Sequence, residues 1–414
     1  MSRHISKYPS TLCAAKNPDV FVIQSDKDSS PGVAKLTPSF SFELWQDEMI
    51  FRDFISPLVS GSYLFATLDV SELLLGSIPR YNFLDAPVSF GTPLIRREVI
   101  FPFYVKHSEN YLEIDDREVT LMSHWFYALN GGVPPWKHVE FYKAYATFEQ
   151  YFVDTKKTFL TWRWSQKIIG YEDKESLYFL NLSERAVDTL SLVITSKFFT
   201  LTLEQPLSLA LGSVIYKAYE VLELNISPKE IVEALDIDQI DIHSFNVHVT
   251  HNGHQISEKQ YYKIDYRELP NVHQFLFLNS LGAYESIRFT GTATTEDAYN
   301  RDFFDQTALT PYNTFARSKG QIAPEIATTK KVNSGWITKE ETELMRDFIS
   351  SQEVYEIIGE EYYPVLVTQD KVEVHRDNSF LYSITVSIEN IDLKNVYQGL
   401  SGIMPTTGTL TDPY

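Results

Sequence analysis

Basic residues and cysteine are both scarce in this sequence. Its 414 residues include 36 Lys and Arg against 55 Asp and Glu, which gives a formal net charge of −19. This balance argues against nucleic acid as the main partner and against a polybasic lipid anchor, because both need a basic surface. A single cysteine, Cys13, excludes an intrachain disulfide and a cysteine-rich zinc module.

Long apolar runs are missing as well. No stretch approaches the ~20 apolar residues of a membrane-spanning helix, so we expect no membrane span. Residues 1–7 are polar, and no apolar run of the kind found in secretion signals follows them. We therefore expect the chain to be made in the cytoplasm and to stay soluble.

The common catalytic motifs are also missing. The sequence has no glycine-rich phosphate-binding loop, no dinucleotide fingerprint after a strand and no nucleophile elbow. Glycosidases need two carboxylates that face each other across a cleft, and no pattern pairs two of the 55 acidic residues. We expect no enzymatic activity and no cofactor.

Aromatic residues and short alternating segments are abundant. Tyr, Phe and Trp make up 14% of the chain, and such residues favour pleated, half-buried strands. Apolar and polar residues alternate in many segments of about five to eight residues bounded by turn residues. The sequence therefore predicts a mainly β fold, with tandem antiparallel β-sandwich domains of immunoglobulin-like or fibronectin-like type and a small C-terminal α+β unit. We expect an N-terminal sandwich at 15–110, an irregular aromatic-rich insert at 111–155, a second sandwich at 156–295, an extended linker or arm at 296–335, and the α+β unit with a polar tail at 336–414.

Two local elements can be predicted almost to the residue. The alternating segment 244–251 ends at Asn252 and Gly253, which tolerate the positive φ of a tight hairpin turn. Thr338 and Glu341 have the spacing of a capping box, which predicts a helix that begins there.

Four histidines crowd around that hairpin. His251 and His254 flank the turn and face each other, so the two imidazoles could share a transition metal. No carboxylate has a matching spacing. We therefore favour an exposed polar hairpin tip and expect no metal there.

Trp162 and Trp164 alternate around Arg163, so both rings lie on one face if the segment is a strand. Such a pair can stack on a sugar ring. More often it fills a core or an interface, and we favour that interpretation.

Trp125, Trp136 and Phe141 lie close to the loop at 131–135. If this insert projects, its rings expose more apolar surface than a free monomer tolerates. We therefore expect subunit contacts at 131–135 and along the polar stretch 292–334. The interface candidates are Trp125, Trp136, Phe141, Trp162 and Trp164.

Several segments carry a resemblance to a known class of protein. They are LDVSELL at 68–74, KTFLTW at 157–162 with ESLYFL at 175–180, FLFLNSLGAY at 275–284 with IRFTG at 287–291, and SGWIT at 334–338. In this order they resemble structural proteins of tailed bacteriophages, particularly of the tail tip or baseplate, which are built from immunoglobulin-like or fibronectin-like sandwiches.

The resemblance implies a virion structural protein that is made in the host cytoplasm and released with the particle. Its partners would be copies of itself and other virion proteins, without nucleic acid, and no catalytic residues carry over. One alternative is a glycan-binding module that recognises the host surface. A second alternative is a glycan hydrolase.

Overall fold

The computed structural model of the chain describes residues 5–24, 39–56, 58–60, 63–78, 88–110, 121–163, 166–183, 187–198, 204–212, 215–236, 242–305, 319–321, 325–338, 340–368 and 382–391. These residues belong to two compact units. Unit 1 consists of Met1–Glu268 and Leu278–Ser286, and unit 2 consists of Leu269–Phe277 and Ile287–Tyr414.

The mainly β fold is confirmed, with several antiparallel sheets and short helices. The first elements of unit 1 are β1 (Ile5–Lys7), β2 (Leu12–Ala14), β3 (Val20–Gln24), β4 (Ser39–Trp45), β5 (Met49–Ile55), β6 (Leu58–Ser60), β7 (Tyr63–Asp69), α1 (Ser71–Ser77), β8 (Leu94–Ile95), β9 (Ile100–Asn110), β10 (Leu121–Met122) and β11 (Phe126–Leu129).

Two sheets share the first core of unit 1. One has the order β1-β3-β7-β6, and the other has the order β2-β11-β9-β4-β5 with β10 paired to β9. Alternation explains the packing, since Phe40, Phe42 and Leu44 of β4 are buried at every second position. They pack in one cluster with Phe21 of β3 and Phe103 of β9. The core between the two sheets is therefore rich in phenylalanine.

The remaining elements of unit 1 are mostly those of a second layered body, together with the helices α2 (His138–Ala144) and α3 (Phe148–Thr155), of which α3 contacts β2. The other remaining elements are β12 (Lys167–Gly170), β13 (Ser176–Leu180), β14 (Leu190–Phe198), β15 (Glu204–Ala210), β16 (Val221–Asn225), α4 (Pro228–Leu235), β17 (Ile242–His251), β18 (His254–Gln255) and β19 (Gln260–Asp265).

The sheet β12-β19-β17-β14-β15 shares a core with the sheet β13-β16-β8. In β14, Leu190, Leu192 and Ile194 are buried at alternate positions. Helix α4 begins with Pro228 in its first turn, as expected for a residue without an N–H.

Unit 2 is built on one seven-stranded sheet. Its elements are β20 (His273–Leu278), β21 (Tyr284–Phe289), β22 (Ala293–Asn300), β23 (Phe303–Asp305), β24 (Lys319–Gln321), β25 (Glu325–Asn333), α5 (Glu341–Ile349), β26 (Val354–Ile358), β27 (Glu361–Val367) and β28 (Thr385–Asn390). The strand order is β21-β20-β26-β27-β28-β25-β22, and β23 pairs with β24 separately.

Helix α5 covers the core of this sheet. Its Phe348 is fully buried and lies 5.4–5.6 Å from the rings of Phe275, Phe277 and Phe289. The predicted capping box is confirmed: the Thr338 N–H donates to the Glu341 carboxylate at 2.7 Å, and the Glu341 N–H donates to the Thr338 hydroxyl at 3.3 Å. The predicted reciprocal bonds therefore form directly before α5, whose first residue is Glu341.

The observed division of the chain differs from the predicted one at three places. Residues 94–95, placed in the first sandwich, form β8 and pair with β16 of the second. Strands β10 and β11 lie inside the predicted insert 111–155, yet they pair with β9 of the first sandwich. Strands β20 and β21, placed in the second sandwich, belong to the sheet of unit 2. In each case the strand pairs with a segment that is distant in sequence, and local patterns do not reveal such partners.

The predicted linker 296–335 also differs from the structure. Strands β22 and β25 pair antiparallel over their whole length, from Ala293 opposite Val332 to Asn300 opposite Glu325. Apart from the buried Val332, the described side chains of the pair are at least partly exposed, and their many Thr, Lys and Glu residues lack the apolar alternation of a buried strand.

In the part of the chain that the structure describes, no helix is long and apolar enough to cross a membrane.

Candidate functional site

An open cleft of about 420 Å³ lies in unit 1 between the two sandwiches. Its volume falls within the range of roughly 300–1,000 Å³ typical of small-molecule sites. The residues that give the cleft its chemical character are Asp47, Arg97, Trp125, Tyr127, Tyr219 and Glu220.

The aromatic wall of the cleft follows from strand alternation. Phe126 is fully buried, so its neighbours Trp125 and Tyr127 point to the opposite face. Tyr104 of β9 meets Trp125 edge to face at 4.8 Å and stacks on Trp45 at 6.3 Å. These contacts fix the orientation of the Trp125 ring, and 42% of that side chain stays exposed.

Tyr219 forms part of the opposite wall in a strained backbone conformation. Its φ of 59° lies in the left-handed region, which costs about 1–3 kcal/mol for a residue other than glycine. Three contacts hold it there. Its ring stacks on Tyr127 at 4.5 Å, its hydroxyl donates to Glu149 at 3.0 Å, and its N–H donates to the Asn181 carbonyl at 2.7 Å. Tyr219 is therefore fixed in position.

The charged groups of the cleft are balanced. Arg96 forms a buried ion pair with Glu223 at 2.6 Å. Glu220 accepts the Lys217 N–H at 2.7 Å, which holds its carboxylate in a tight turn. The Arg96–Glu223 pair is neutral. The other charged residues of the lining are two basic ones, Arg97 and Lys217, and two acidic ones, Asp47 and Glu220, so the formal charges cancel.

Unit 1 also contains a buried polar cluster that is separate from the charged groups of the cleft. Lys167 donates to both carboxylate oxygens of Glu175 at 2.6–2.7 Å and to the Ser286 hydroxyl at 3.0 Å. Thr161 donates to Glu285 at 3.0–3.1 Å. Burial lowers the pKa of Lys167, and the Glu175 carboxylate opposes that shift. These groups satisfy one another, so we assign the cluster a structural role.

Cys13 and Asp19 form a third buried group. The pKa of the Asp19 carboxyl is raised to about 7, mainly by burial; a hydrogen bond with Cys13 opposes the shift, and the nearby Asp69 carboxylate adds to it. Burial also raises the pKa of the Cys13 thiol, which donates to the Tyr127 carbonyl at 3.6 Å. Cys13 lies on β2 and is 1% exposed, so it is a core residue and not a reactive thiol.

Unit 2 carries a projecting ribbon, which we call the arm and define as residues 297–305, 319–321 and 325–328. Its strands β22 and β25 pair beyond the point where β28 ends, and β23 pairs with β24 further out. Tyr299, Phe303 and Phe304 on this ribbon are 53%, 62% and 44% exposed.

The outer part of the arm has a defined geometry. Phe304 lies across Gly320, where an added Cβ would come within 2.3 Å of the phenyl ring. Asp305 lies opposite Lys319. Because adjacent strand residues point to opposite faces, Phe303 and Phe304 place an aromatic ring on each face of the ribbon.

Most of the predicted interface residues lie in a core or in the cleft and not on a projecting surface. Phe141 and Trp162 are buried in unit 1, 6.1 Å apart, and the Trp162 indole N–H donates to the Ser280 hydroxyl at 2.7 Å. Burial leaves both rings little surface for a partner. Trp136 is half-buried, and its Nε1 is covered without an acceptor among the described residues. Trp125 lies in the cleft, and Trp164 lies outside the described residues.

The loop 131–135 does not project, contrary to expectation. A Cβ on Gly131 would lie 2.3 Å from the Leu281 carbonyl carbon, and the Gly132 N–H donates to the Ser280 carbonyl at 2.6 Å. The Asn17 side chain bonds both backbone groups of Val133. The glycines therefore allow close packing inside unit 1.

The predicted histidine hairpin is confirmed. His251 pairs with His254 across the turn, and Asn252 and Gly253 have positive φ values of 50° and 78°. The His251 imidazole lies 3.0 Å from the Asn252 amide and 3.9 Å from the Asp188 carboxylate. Among the described residues, no group of three or more His, Cys, Asp or Glu side chains is arranged to hold a metal ion.

The sequence does not indicate the cleft, whereas the arm falls within the stretch 292–334 where the sequence predicts subunit contacts, although its strand pairing is not predicted. The cleft combines residues near 46, 96, 125 and 219, and of these the sequence analysis singles out Trp125, as an interface candidate. A comparison with protein-family models and a comparison with curated proteins each found no match for this chain.

Proposed function

We propose that the chain is a structural subunit of a tailed-bacteriophage particle, in the tail, tail tip or baseplate. It acts by assembling with copies of itself and with other virion proteins, and it needs neither catalysis nor a cofactor for this role. The arm of unit 2 is the observation that supports the proposal most.

The exposure of the arm supports a role in assembly. A two-stranded ribbon is only marginally stable by itself in water, and large aromatic side chains are usually buried. Here both faces of the ribbon present a phenyl ring, and Tyr299 adds a third exposed ring. Aromatic residues of this kind are enriched in the buried centres of protein–protein interfaces.

The length of the arm supports the same role. Residues 297–305 extend roughly 30 Å at the usual rise per strand residue. A ribbon of this length can reach a neighbouring subunit, and its edges, which pair with no further strand among the described residues, can add to the neighbour's sheet.

The experiment compares two variants of the full chain. Combined Tyr299→Ser and Phe303→Ser substitutions remove two exposed rings from the arm. Tyr261→Ser removes a ring of similar exposure, 47%, from β19 of unit 1 and serves as the control. Sedimentation velocity measures assembly of each purified chain, and mass spectrometry of purified virions measures its incorporation.

We expect the arm variant to remain monomeric and to be lost from virions, while the Tyr261 variant behaves like the native chain. Equal incorporation of both variants would contradict the role of the arm. Virions that lack the native chain altogether would contradict the proposed function itself.

A further inference from the structure

The cleft of unit 1 has the features of a ligand site that are independent of assembly. Trp125, which is 42% exposed, and Tyr127 both line the cleft. They flank the fully buried Phe126, so both rings lie on the side of the cleft. A flat, apolar ligand face can therefore stack on this wall.

The same cleft carries planar polar groups within one concavity. Asp47 and Glu220 supply carboxylates, Arg97 supplies a guanidinium and Gln46 supplies an amide. A carboxylate accepts up to about four hydrogen bonds through its two oxygens, and a guanidinium donates up to about five in a fixed geometry. This combination suits neighbouring hydroxyl groups, which both donate and accept.

Charge balance restricts the class of ligand. The whole chain has a formal charge of −19, yet the cleft is lined by two basic residues, Arg97 and Lys217, and by two acidic residues, Asp47 and Glu220. An anion would meet the two carboxylates, and a cation would meet the two basic groups. A neutral polar ligand avoids both penalties.

The walls of the cleft are already fixed without a ligand. Tyr219 keeps its strained backbone through contacts with Tyr127, Glu149 and Asn181, and a backbone N–H orients Glu220. Strain maintained by several contacts is typical of functional sites. A prearranged site also binds with a smaller entropic cost.

We propose that this cleft binds a neutral saccharide, with a pyranose face stacked on Trp125 and with hydroxyl groups hydrogen-bonded to Asp47, Arg97 and Glu220. The C–H bonds on one face of a pyranose ring are weakly positive and match the negative face of an indole. The ring's hydroxyls match the planar polar groups opposite.

The test applies the full chain to a printed array of neutral hexose and N-acetylhexosamine oligosaccharides, with sialylated and sulfated oligosaccharides on the same array. A retained neutral oligosaccharide is then titrated while tryptophan fluorescence is recorded. We expect binding to neutral spots and a loss of affinity of about tenfold or more in Trp125→Ala. The control is Trp336→Ala, which removes a side chain that is 75% exposed on unit 2 and should leave the affinity unchanged.

Arg97→Ala provides a second variant, because Arg97 is exposed and its loss should not affect folding. We expect it to weaken binding as well. The proposal is overturned if no neutral spot retains the chain, if only charged glycans bind, or if Trp125→Ala and Arg97→Ala both bind as tightly as the native chain. Release of reducing ends from the bound oligosaccharide would also overturn it, because the cleft would then belong to a hydrolase.

Discussion

Two groups of aromatic side chains in this protein have opposite environments. Around Trp162 in unit 1, Phe141 and Tyr151 lie within 5.3–6.1 Å of one another and are almost fully covered. On the arm of unit 2, Tyr299 and Phe303 are more than half exposed. The residue types are the same, yet one group fills a core and the other faces solvent.

The burial of each aromatic group depends on how the neighbouring backbone folds. The chain around Phe141 folds into two short helices, and Trp162 is anchored by its hydrogen bond to Ser280. Each strand of the arm pairs with one other strand of the arm, and among the described residues no further layer covers its aromatic rings. Aromatic content therefore marks either a core or an exposed surface, and the fold decides which.

The largest expected effect concerns the buried group. Trp162→Ala should lower the free energy of unfolding of unit 1 by about 3–5 kcal/mol, because it leaves a cavity and removes a hydrogen bond. Urea unfolding followed by near-UV circular dichroism measures the change. A loss below about 1 kcal/mol would mean that the cluster is not a core.

A pH series tests the buried polar groups next to the first core. The folded pKa of Asp19 is about 7 against an ordinary value of 3.8, so between these values the folded chain keeps a proton that the unfolded chain has lost. The proton that the folded Asp19 carboxyl keeps therefore stabilises the folded chain fully below pH 3.8. This stabilisation is lost as the pH rises to about 7, and the free energy of unfolding falls by at most about 1.4 kcal/mol per pH unit.

Asp19→Asn removes this dependence, so the variant should gain stability relative to the native chain between pH 4 and pH 7. His107, whose pKa burial lowers to about 4, acts in the opposite direction but is common to both chains. Parallel melting curves across the pH series would show that Asp19 titrates normally.

A smaller effect is expected at the close-packed glycine loop. Gly131→Ala should destabilise unit 1 by about 1–3 kcal/mol, because the new Cβ would meet the backbone of Leu281. Gly76→Ala in α1 is the matched control, since a Cβ there meets nothing within 4 Å and alanine favours a helix. Thermal melts should shift in opposite directions for the two variants.

The smallest effect on stability is expected on the arm. Tyr299→Ser or Phe303→Ser should change the free energy of unfolding by less than about 0.5 kcal/mol, because neither ring packs in a core. A melt that drops as far as that of Trp162→Ala would show that the arm rings are structural.

Local patterns in the sequence predict the local elements well. The Asn252-Gly253 turn and the Thr338–Glu341 cap both depend on residues that are within a few positions of each other, and both are confirmed. Period-two alternation likewise predicts strands such as Ser39–Trp45 and Leu190–Phe198.

Long-range pairing and burial were not predictable in the same way. The pairing of Leu94–Ile95 with β16 joins segments more than 120 residues apart. The sequence predicts a linker where the strands of the arm lie, because the described side chains of β22 are exposed or partly exposed and have no apolar alternation. The cleft combines four distant segments, so no short motif marks it.

Site-specific photo-crosslinking tests the central claim most directly. A photoreactive benzoyl-phenylalanine replaces Phe303 on the arm in one full chain and Tyr261 on β19 in another, and purified virions are irradiated. Our account predicts a crosslink from position 303 to a second copy or another virion protein, present in the particle and absent from the isolated monomer, with little crosslinking from position 261. Equal crosslinking from both positions, or none from 303 in particles that contain the chain, would contradict it.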